Sequence, residues 1–144
     1  MKPRYLLDTN ILSEPLAATP NRVLLARFKR HQGELATASV VWHELVFGAS
    51  RLPESRRRVT IERYLEEVIE ATIPIIAYDA GAAAWHGAQR ARLQGLGVET
   101  SFADGQIAAV AYVNDLVLVT RNVKDFRHFK GVPLENWFAP DEQD

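Results

Sequence analysis

The chain alternates short apolar runs with longer segments of helical periodicity, and this alternation constrains its fold more than any other feature. The clearest run is Leu116–Val119 (LVLV), which contains no polar residue and therefore predicts a strand that is buried on both faces. Strands that alternate with helices are joined by crossover connections and pair in parallel. We therefore predict an α/β fold with a central parallel sheet.

The same pattern predicts five strands and five main helices. Ser39 and Asp79 are good N-caps for two of the helices, and the helix over 21–30 has an amphipathic pattern. The predicted strands are 4–7, 74–77 and 116–119, with weaker candidates at 34–37 and 133–134. The predicted helices are 21–30, 39–49, 54–69, 79–95 and 102–114.

Length and composition limit the organisation and the class of protein. A chain of 144 residues fits one domain, which we place at 1–140, followed by a flexible polar tail at 141–144. The net charge of −1 argues against holding nucleic acid by bulk charge, and the absence of cysteine excludes disulfides and thiolate metal sites. We find no signal peptide and no apolar run of membrane length, so we expect a cytoplasmic protein without a membrane partner.

Polar residues follow two of the predicted strands at the point where each strand ends. Asp8 comes directly after the first strand, and Thr120, Arg121 and Asn122 come directly after LVLV. In open parallel sheets, ligands bind outside the carboxyl ends of the strands. Asp8 therefore stands where this architecture places its chemistry.

A second carboxylate, Glu44, falls on a helix face that the pattern predicts to be buried. It shares this face, at three- and four-residue spacing, with Val40, Val41, Phe47 and Gly48. A lone glutamate in such a position would cost several kcal/mol or become neutral. We therefore expect Glu44 to have a functional partner.

A third carboxylate, Asp104, shares its helix face with Ile107, Ala108 and Ala111. Carboxylates that cluster repel one another by roughly 4 kcal/mol per close pair at an effective dielectric near 20, and a divalent cation removes that cost. An all-oxygen set of ligands suits Mg²⁺ or Mn²⁺ better than zinc.

Each of these acidic residues also has a structural explanation. Asp104 can close a capping box with Ser101, Glu44 can pair with a buried arginine, and Asp8 can cap the next helix. Asn10 is more often a turn or cap residue than a ligand. The coincidence of three such carboxylates favours the metal site over the separate explanations.

Several stretches taken together resemble the PIN-domain ribonucleases, and among them the VapC-type toxins of bacterial toxin–antitoxin pairs. They are LLDTNILSEPL, ATASVVWHELVFGASRL, ADGQIAAVA and LVLVTRNVKDFRHF followed by ENWF, in the family's order and spacing. The resemblance covers nearly the whole chain. It implies a three-layer α/β/α sandwich with a central parallel sheet, and an acidic pocket that binds Mg²⁺ or Mn²⁺ and cuts RNA.

Carried over residue by residue, the family's acidic set falls on Asp8, Glu44 and Asp104. A fourth acidic residue often follows the last of these strands in the family, and here Asn122 occupies that position, with Asp125 as a possible substitute. The resemblance implies that Asp8 and Asp104 hold the metal and that Glu44 completes the shell or orients water. The remaining candidates around the metal and substrate are Thr9, Thr120, Arg121 and Asp125.

The resemblance further implies a Mg²⁺-dependent endoribonuclease that acts as a toxin, pairs with a small VapB-like antitoxin and forms a homodimer. Asn122 keeps a rival open, namely a PIN-like module that binds RNA or protein with weak or no catalysis. An enzyme that acts on DNA is a third possibility.

One basic cluster and three tryptophans complete the list of candidates. The cluster is either a solvated helix face or an edge that follows RNA phosphates or meets an acidic partner, whereas Arg121 is the better candidate for a substrate phosphate. We expect Trp42 and Trp85 to pack in the core or an interface and Trp137 to pack the C-terminal segment. The basic cluster consists of Arg51, Arg56, Arg57, Arg58 and Arg63.

Overall fold

A computed structural model, which describes residues 2–139, has one sheet of five parallel strands surrounded by helices. The strand order is β3-β2-β1-β4-β5. All five predicted strands are confirmed, including the two weaker candidates. Their bounds are β1 Tyr5–Leu7, β2 Leu35–Ala38, β3 Ile75–Ile76, β4 Val117–Val119 and β5 Leu134–Glu135.

Helices connect every pair of successive strands, as the predicted crossovers require. The three-layer α/β/α architecture is therefore confirmed. The α-helices are α1 Thr9–Ser13, α2 Arg22–Arg30, α3 Ser39–Ser50, α4 Arg56–Tyr64, α5 Ala80–Gly95, α6 Phe102–Val113 and α7 Val123–Phe126.

The direction in which the chain adds strands reverses beside β1. From β1 the sheet grows through β2 to β3, and the chain then returns to place β4 on the other side of β1. Tyr5 pairs with Leu35 on one side and with Val117 on the other. The carboxyl ends of β1 and β4 are therefore the switch point of the sheet, which is where open parallel sheets bind their ligands.

Three local predictions need correction. The N-cap of α3 is Ala38 rather than Ser39, which is the first helical residue and accepts a hydrogen bond at Oγ from the Tyr78 amide. The helix predicted over 54–69 begins at Arg56 and continues as a π-helix over Leu65–Glu70. The inner face of α2 includes Arg27, which the apolar pattern could not indicate.

The core lies on both faces of the sheet, and Trp137 closes it near the end of the described chain. The Trp137 side chain is buried, its ring lies 5.2 Å from that of Tyr5, and its Nε1 donates a hydrogen bond to Glu135. Trp42 and Trp85 are partly buried against the core. Among residues 2–139, no helix has the length and apolar character needed to span a membrane. The predicted tail at 141–144 lies outside the described residues.

Candidate active site

Asp8 lies at the carboxyl end of β1 with its side chain only 7% exposed. Its Oδ1 accepts a hydrogen bond of 2.8 Å from the backbone amide of Thr9, so Asp8 also caps α1. Its Oδ2 accepts a bond of 2.8 Å from the Thr120 hydroxyl and one of 3.3 Å from the Asn10 amide. Three donors from two strand ends therefore fix the orientation of this carboxylate.

A second row of hydrogen bonds holds these donors in place. The backbone amide of Arg121 donates to Asn10 Oδ1 at 3.0 Å, and that of Asn122 donates to Thr120 Oγ1 at 3.0 Å. The loop after β4 is therefore tied to α1 through side chains. The Asn10 side chain therefore links Asp8 to the loop after β4. The sequence alone did not indicate this, because asparagine is common in turns and caps.

Burial raises the pKa of Asp8, because an ionised carboxylate loses its hydration there. Hydrogen bonds from Thr120, Thr9 and Asn10 act in the opposite direction, and the negative charge of Asp125 adds to the rise. Keeping Asp8 ionised in this buried position therefore lowers the stability of the fold. A bound cation would offset that loss.

Asp104 lies in the first turn of α6. Ser101 caps this helix, because its Oγ accepts a hydrogen bond of 3.0 Å from the backbone amide of Asp104. The structural explanation of Asp104 is therefore correct as far as the cap is concerned. Burial also raises the pKa of Asp104, and the charges of Asp8 and Asp125 raise it further. Capping and membership of a carboxylate cluster coexist here.

Asp125 is the third carboxylate of this cluster. It lies in the short helix α7, and its charge acts on both Asp8 and Asp104. Asn122, which precedes α7, contributes its backbone amide to Thr120. Asp125, three residues after Asn122, therefore supplies the negative charge that Asn122 lacks at the fourth position of the family's acidic set.

Glu44 occupies an exposed position on α3, and the prediction that its helix face is buried is wrong. The packed face instead consists of Val41, Leu45 and Ala49, whereas Phe47 is 58% exposed. In the described part of the chain, Glu44 forms no hydrogen bond or salt bridge and does not contribute to the pKa shifts of Asp8 and Asp104. Exposure removes the burial cost that first drew attention to this residue.

The basic candidates lie outside the carboxylate cluster. The exposed guanidinium of Arg121 lies 4.6 Å from the centroid of the Phe138 ring. Arg58 donates to the carbonyl of Leu52 and pairs with Glu62 at 3.3 Å, which agrees with the first of the two alternatives for the basic cluster, a solvated helix face.

The carboxylate oxygens of Asp8, Asp104 and Asp125 are ligands of the kind that a hard divalent cation prefers, although the three side chains do not form a compact coordination site. Among residues 2–139, no three acidic or imidazole side chains lie close enough together to form a ready-made metal site. The oxygens of Asp8, Asp104 and Asp125 nevertheless share one electrostatic environment, and oxygen ligands are those that Mg²⁺ and Mn²⁺ prefer. The residues therefore fit such an ion in charge and in chemistry.

Sequence reasoning also missed a buried contact behind Asp104. His86 is 2% exposed, and its Nδ1 lies 3.2 Å from the Tyr78 hydroxyl. A Cβ atom placed on Gly105 would lie 2.0 Å from His86 Nε2, so only glycine fits at this turn of α6. The one signal in the sequence was a glycine inside an otherwise regular helix.

Comparisons with known proteins agree with this fold. The family profile described as PIN domain matches residues 5–132. The chain is 34% identical over 136 residues to the tRNA(fMet)-specific endonuclease VapC of Shigella flexneri, covering 93% of this chain and 98% of the relative.

Two solved structures have the same architecture. FitAcB from Neisseria gonorrhoeae superimposes with a TM-score of 0.88 at 28% identity, over 94% of this chain and 99% of that one. VapBC2 from Rickettsia felis, bound to a DNA fragment from its promoter, gives a TM-score of 0.81 at 27% identity, over 95% and 99%.

Proposed function

The chain belongs to the PIN-domain family, and from this premise we propose that it is a metal-dependent endoribonuclease acting as the toxin of a toxin–antitoxin pair. The observation that carries the proposal is Asp8, a buried and hydrogen-bonded carboxylate at the switch point of a parallel sheet, whose charge acts together with that of Asp125 on Asp104. Burial raises the pKa of Asp8 and of Asp104, and the charge of Asp125 raises both further, which is a common property of functional carboxylates.

In the proposed mechanism, Asp8 and Asp104 hold a Mg²⁺ or Mn²⁺ ion, and Asp125 adds charge from the side of α7. The ion would activate water and stabilise the charge that develops on the scissile phosphate. Thr120 and Asn10 keep the Asp8 carboxylate oriented, so little reorganisation is needed when substrate arrives. Thr9 contributes through its backbone amide.

Glu44 has a different task in this mechanism. Its exposed side chain has no partner in residues 2–139 that would hold it away from substrate. We assign it to orienting the attacking water from the α3 side. Asn122 is assigned to the same water or to substrate, through its amide side chain.

The proposed partner is a small VapB-like antitoxin that covers the acidic site. The relatives provide the support, since VapBC2 of Rickettsia felis was solved bound to promoter DNA. We also propose a homodimer, because large apolar side chains such as Val59, Leu96 and Val113 remain exposed on one chain. Sedimentation of the purified chain, alone and with its antitoxin, measures both assemblies.

The deciding experiment is cleavage of labelled RNA and DNA with Mg²⁺, with Mn²⁺ and with EDTA. We expect RNA to be cut only with a divalent ion, and Asp104→Asn to lose this activity while its circular dichroism spectrum stays unchanged. Cleavage of RNA in EDTA at the full rate would refute metal dependence. Tight RNA binding without any cleavage would favour the binding module that Asn122 left open.

A further inference from the structure

An exposed aromatic ring lies at the start of α6, the helix that carries Asp104, and is not used by the mechanism above. Phe102 begins α6, two residues before Asp104, and is 53% exposed. The guanidinium of Arg90, from α5, lies 5.2 Å from the centroid of this ring. The ring of buried His86 meets Phe102 edge-on at 5.0 Å, so the aromatic side chain has a fixed support.

A cavity of about 340 Å³ opens beside Arg90. Its volume falls within the range of roughly 300–1,000 Å³ that is common for small-ligand sites. The cavity is lined by hydrogen-bond donors and acceptors rather than by a continuous apolar surface. The lining residues are Arg90, Gln94, Gly97, Val98, Glu99 and Thr100.

We propose that Phe102 and Arg90 form a binding site for one unpaired nucleobase of the RNA, next to the phosphate that is cut. The inference rests on the proposed function, since it assigns a contact of that same substrate. Bases of single-stranded RNA stack on aromatic rings and on guanidinium planes, and their edges form hydrogen bonds in adjoining pockets. Phe102 supplies the ring, Arg90 the cation, and Gln94, Glu99 and Thr100 the polar edge.

The residues that line the cavity include one cation, Arg90, and one anion, Glu99. Within the described part of the chain, Arg90 forms no salt bridge, and its guanidinium is therefore available to a base or to the phosphate that follows it. Phe102 and Asp104 share the first turn of α6 but lie on different faces of it, so a base held on Phe102 would belong to a nucleotide that adjoins the cut. The site would thus set which nucleotide lies beside the cut, in addition to strengthening binding.

A second exposed pair offers a natural comparison. Phe47 and Arg51 lie 6.0 Å apart on α3. The cavity nearest to α3 is lined by Glu62, Glu66 and Glu70, which would repel an RNA backbone. The cavity beside Arg90 has a single carboxylate, Glu99, whereas the cavity along α3 has three and includes neither Phe47 nor Arg51.

The test measures RNA binding by chains that carry Asp8→Asn, so that the RNA stays intact during the measurement. Adding Phe102→Leu or Arg90→Gln should weaken binding of a fluorescent RNA roughly 5- to 100-fold, as expected for the loss of one stacked base. Phe47→Leu is the matched control and should leave binding unchanged. Equal effects of Phe102→Leu and Phe47→Leu, or no effect of either, would overturn the proposal.

A modified RNA separates a direct contact from a structural effect. If the base stacks on Phe102, replacing one nucleotide beside the cleavage site by an abasic one should weaken binding to the chain that retains Phe102. The same replacement should leave binding to the Phe102→Leu variant unchanged. If Phe102→Leu instead turns a dimer into a monomer in sedimentation, the ring belongs to a contact between copies, and the proposal is wrong.

Cleavage by the unmodified chain distinguishes failure of this inference from failure of the proposed function. If the unmodified chain cuts no RNA with any divalent ion, the proposed endoribonuclease function is wrong. If the unmodified chain cuts RNA normally and the KM is unchanged for Phe102→Leu and Arg90→Gln, only the proposal of a nucleobase site is wrong.

Discussion

Asp8 and Glu44 belong to one proposed site, yet the chain supports them in opposite ways. Asp8 is buried and receives hydrogen bonds from Thr9, Asn10 and Thr120 before any ligand arrives. Glu44 is exposed on α3 and forms no hydrogen bond in residues 2–139. The strand-end half of the site is therefore preorganised, whereas the α3 half must be ordered by ion, water or substrate.

The largest expected effect separates the two halves by function. Asp8→Asn should reduce RNA cleavage by at least about 100-fold, because even the outer partners of metal ligands are worth roughly 10–100-fold. Glu44→Gln should reduce cleavage by less than Asp8→Asn does, since the Glu44 side chain is exposed and is not held in place before substrate binds. Single-turnover cleavage at saturating Mn²⁺ measures both. A greater loss for Glu44→Gln would reverse the comparison.

Thr120 tests whether hydrogen bonding to Asp8 matters for more than stability. Thr120→Val keeps the shape but removes the hydroxyl that donates to Asp8 Oδ2 at 2.8 Å. We expect cleavage to fall roughly 10- to 100-fold and the dissociation constant for Mn²⁺ to rise. Thr120→Ser keeps the hydroxyl and should retain most of the activity. Equal activity of the valine and serine variants would mean that the strand-end half is not preorganised by this bond.

Gly105 tests how rigidly α6 is held behind Asp104. Gly105→Ala places a methyl group against His86 and should lower the free energy of unfolding by about 1–3 kcal/mol through overpacking. Gly87→Ala is the control, because a Cβ there meets nothing within 4 Å and should stabilise α5 by about 0.5–1 kcal/mol. Urea denaturation measures both. Similar unfolding free energies for the two variants would show that the His86 contact is loose.

The smallest expected effect concerns pH and stability. Burial raises the pKa of Asp8 in the folded chain, so its ionisation opposes folding, and the stability present at acid pH is lost as pH rises through that pKa. At pH 7, Asp8→Asn should therefore unfold at a higher temperature than the unmodified chain, and this gain should shrink towards pH 4.

Asp8→Ala provides the contrast to that stabilisation. It removes the cap of α1 together with the charge, and caps are worth about 0.5–2 kcal/mol, so any gain should be smaller or reversed. Glu44→Gln should leave the melting temperature unchanged at every pH. A lower melting temperature for Asp8→Asn at pH 7 would show that the three hydrogen bonds outweigh the cost of burial.

The sequence by itself determined the strands, most helices and the position of Asp8. A parallel strand must be apolar on both faces, so runs such as Leu116–Val119 are recognisable without any knowledge of their neighbours. Local capping is equally readable, and Asp79 and Ser101 cap α5 and α6 as their side-chain chemistry allows. The carboxyl end of β1 then follows from the chain direction alone.

Only the tertiary structure decided which side of α3 is buried and which charges meet. The sequence Ser39–Ser50 is apolar around most of its circumference, so periodicity could not choose between the face of Glu44 and that of Leu45. The electrostatic contact of Asp125 with Asp8 and Asp104, and the packing of His86 against Gly105, join segments that are distant in sequence. Local propensity acts over a few residues, whereas burial and electrostatics depend on which elements the strand order brings together.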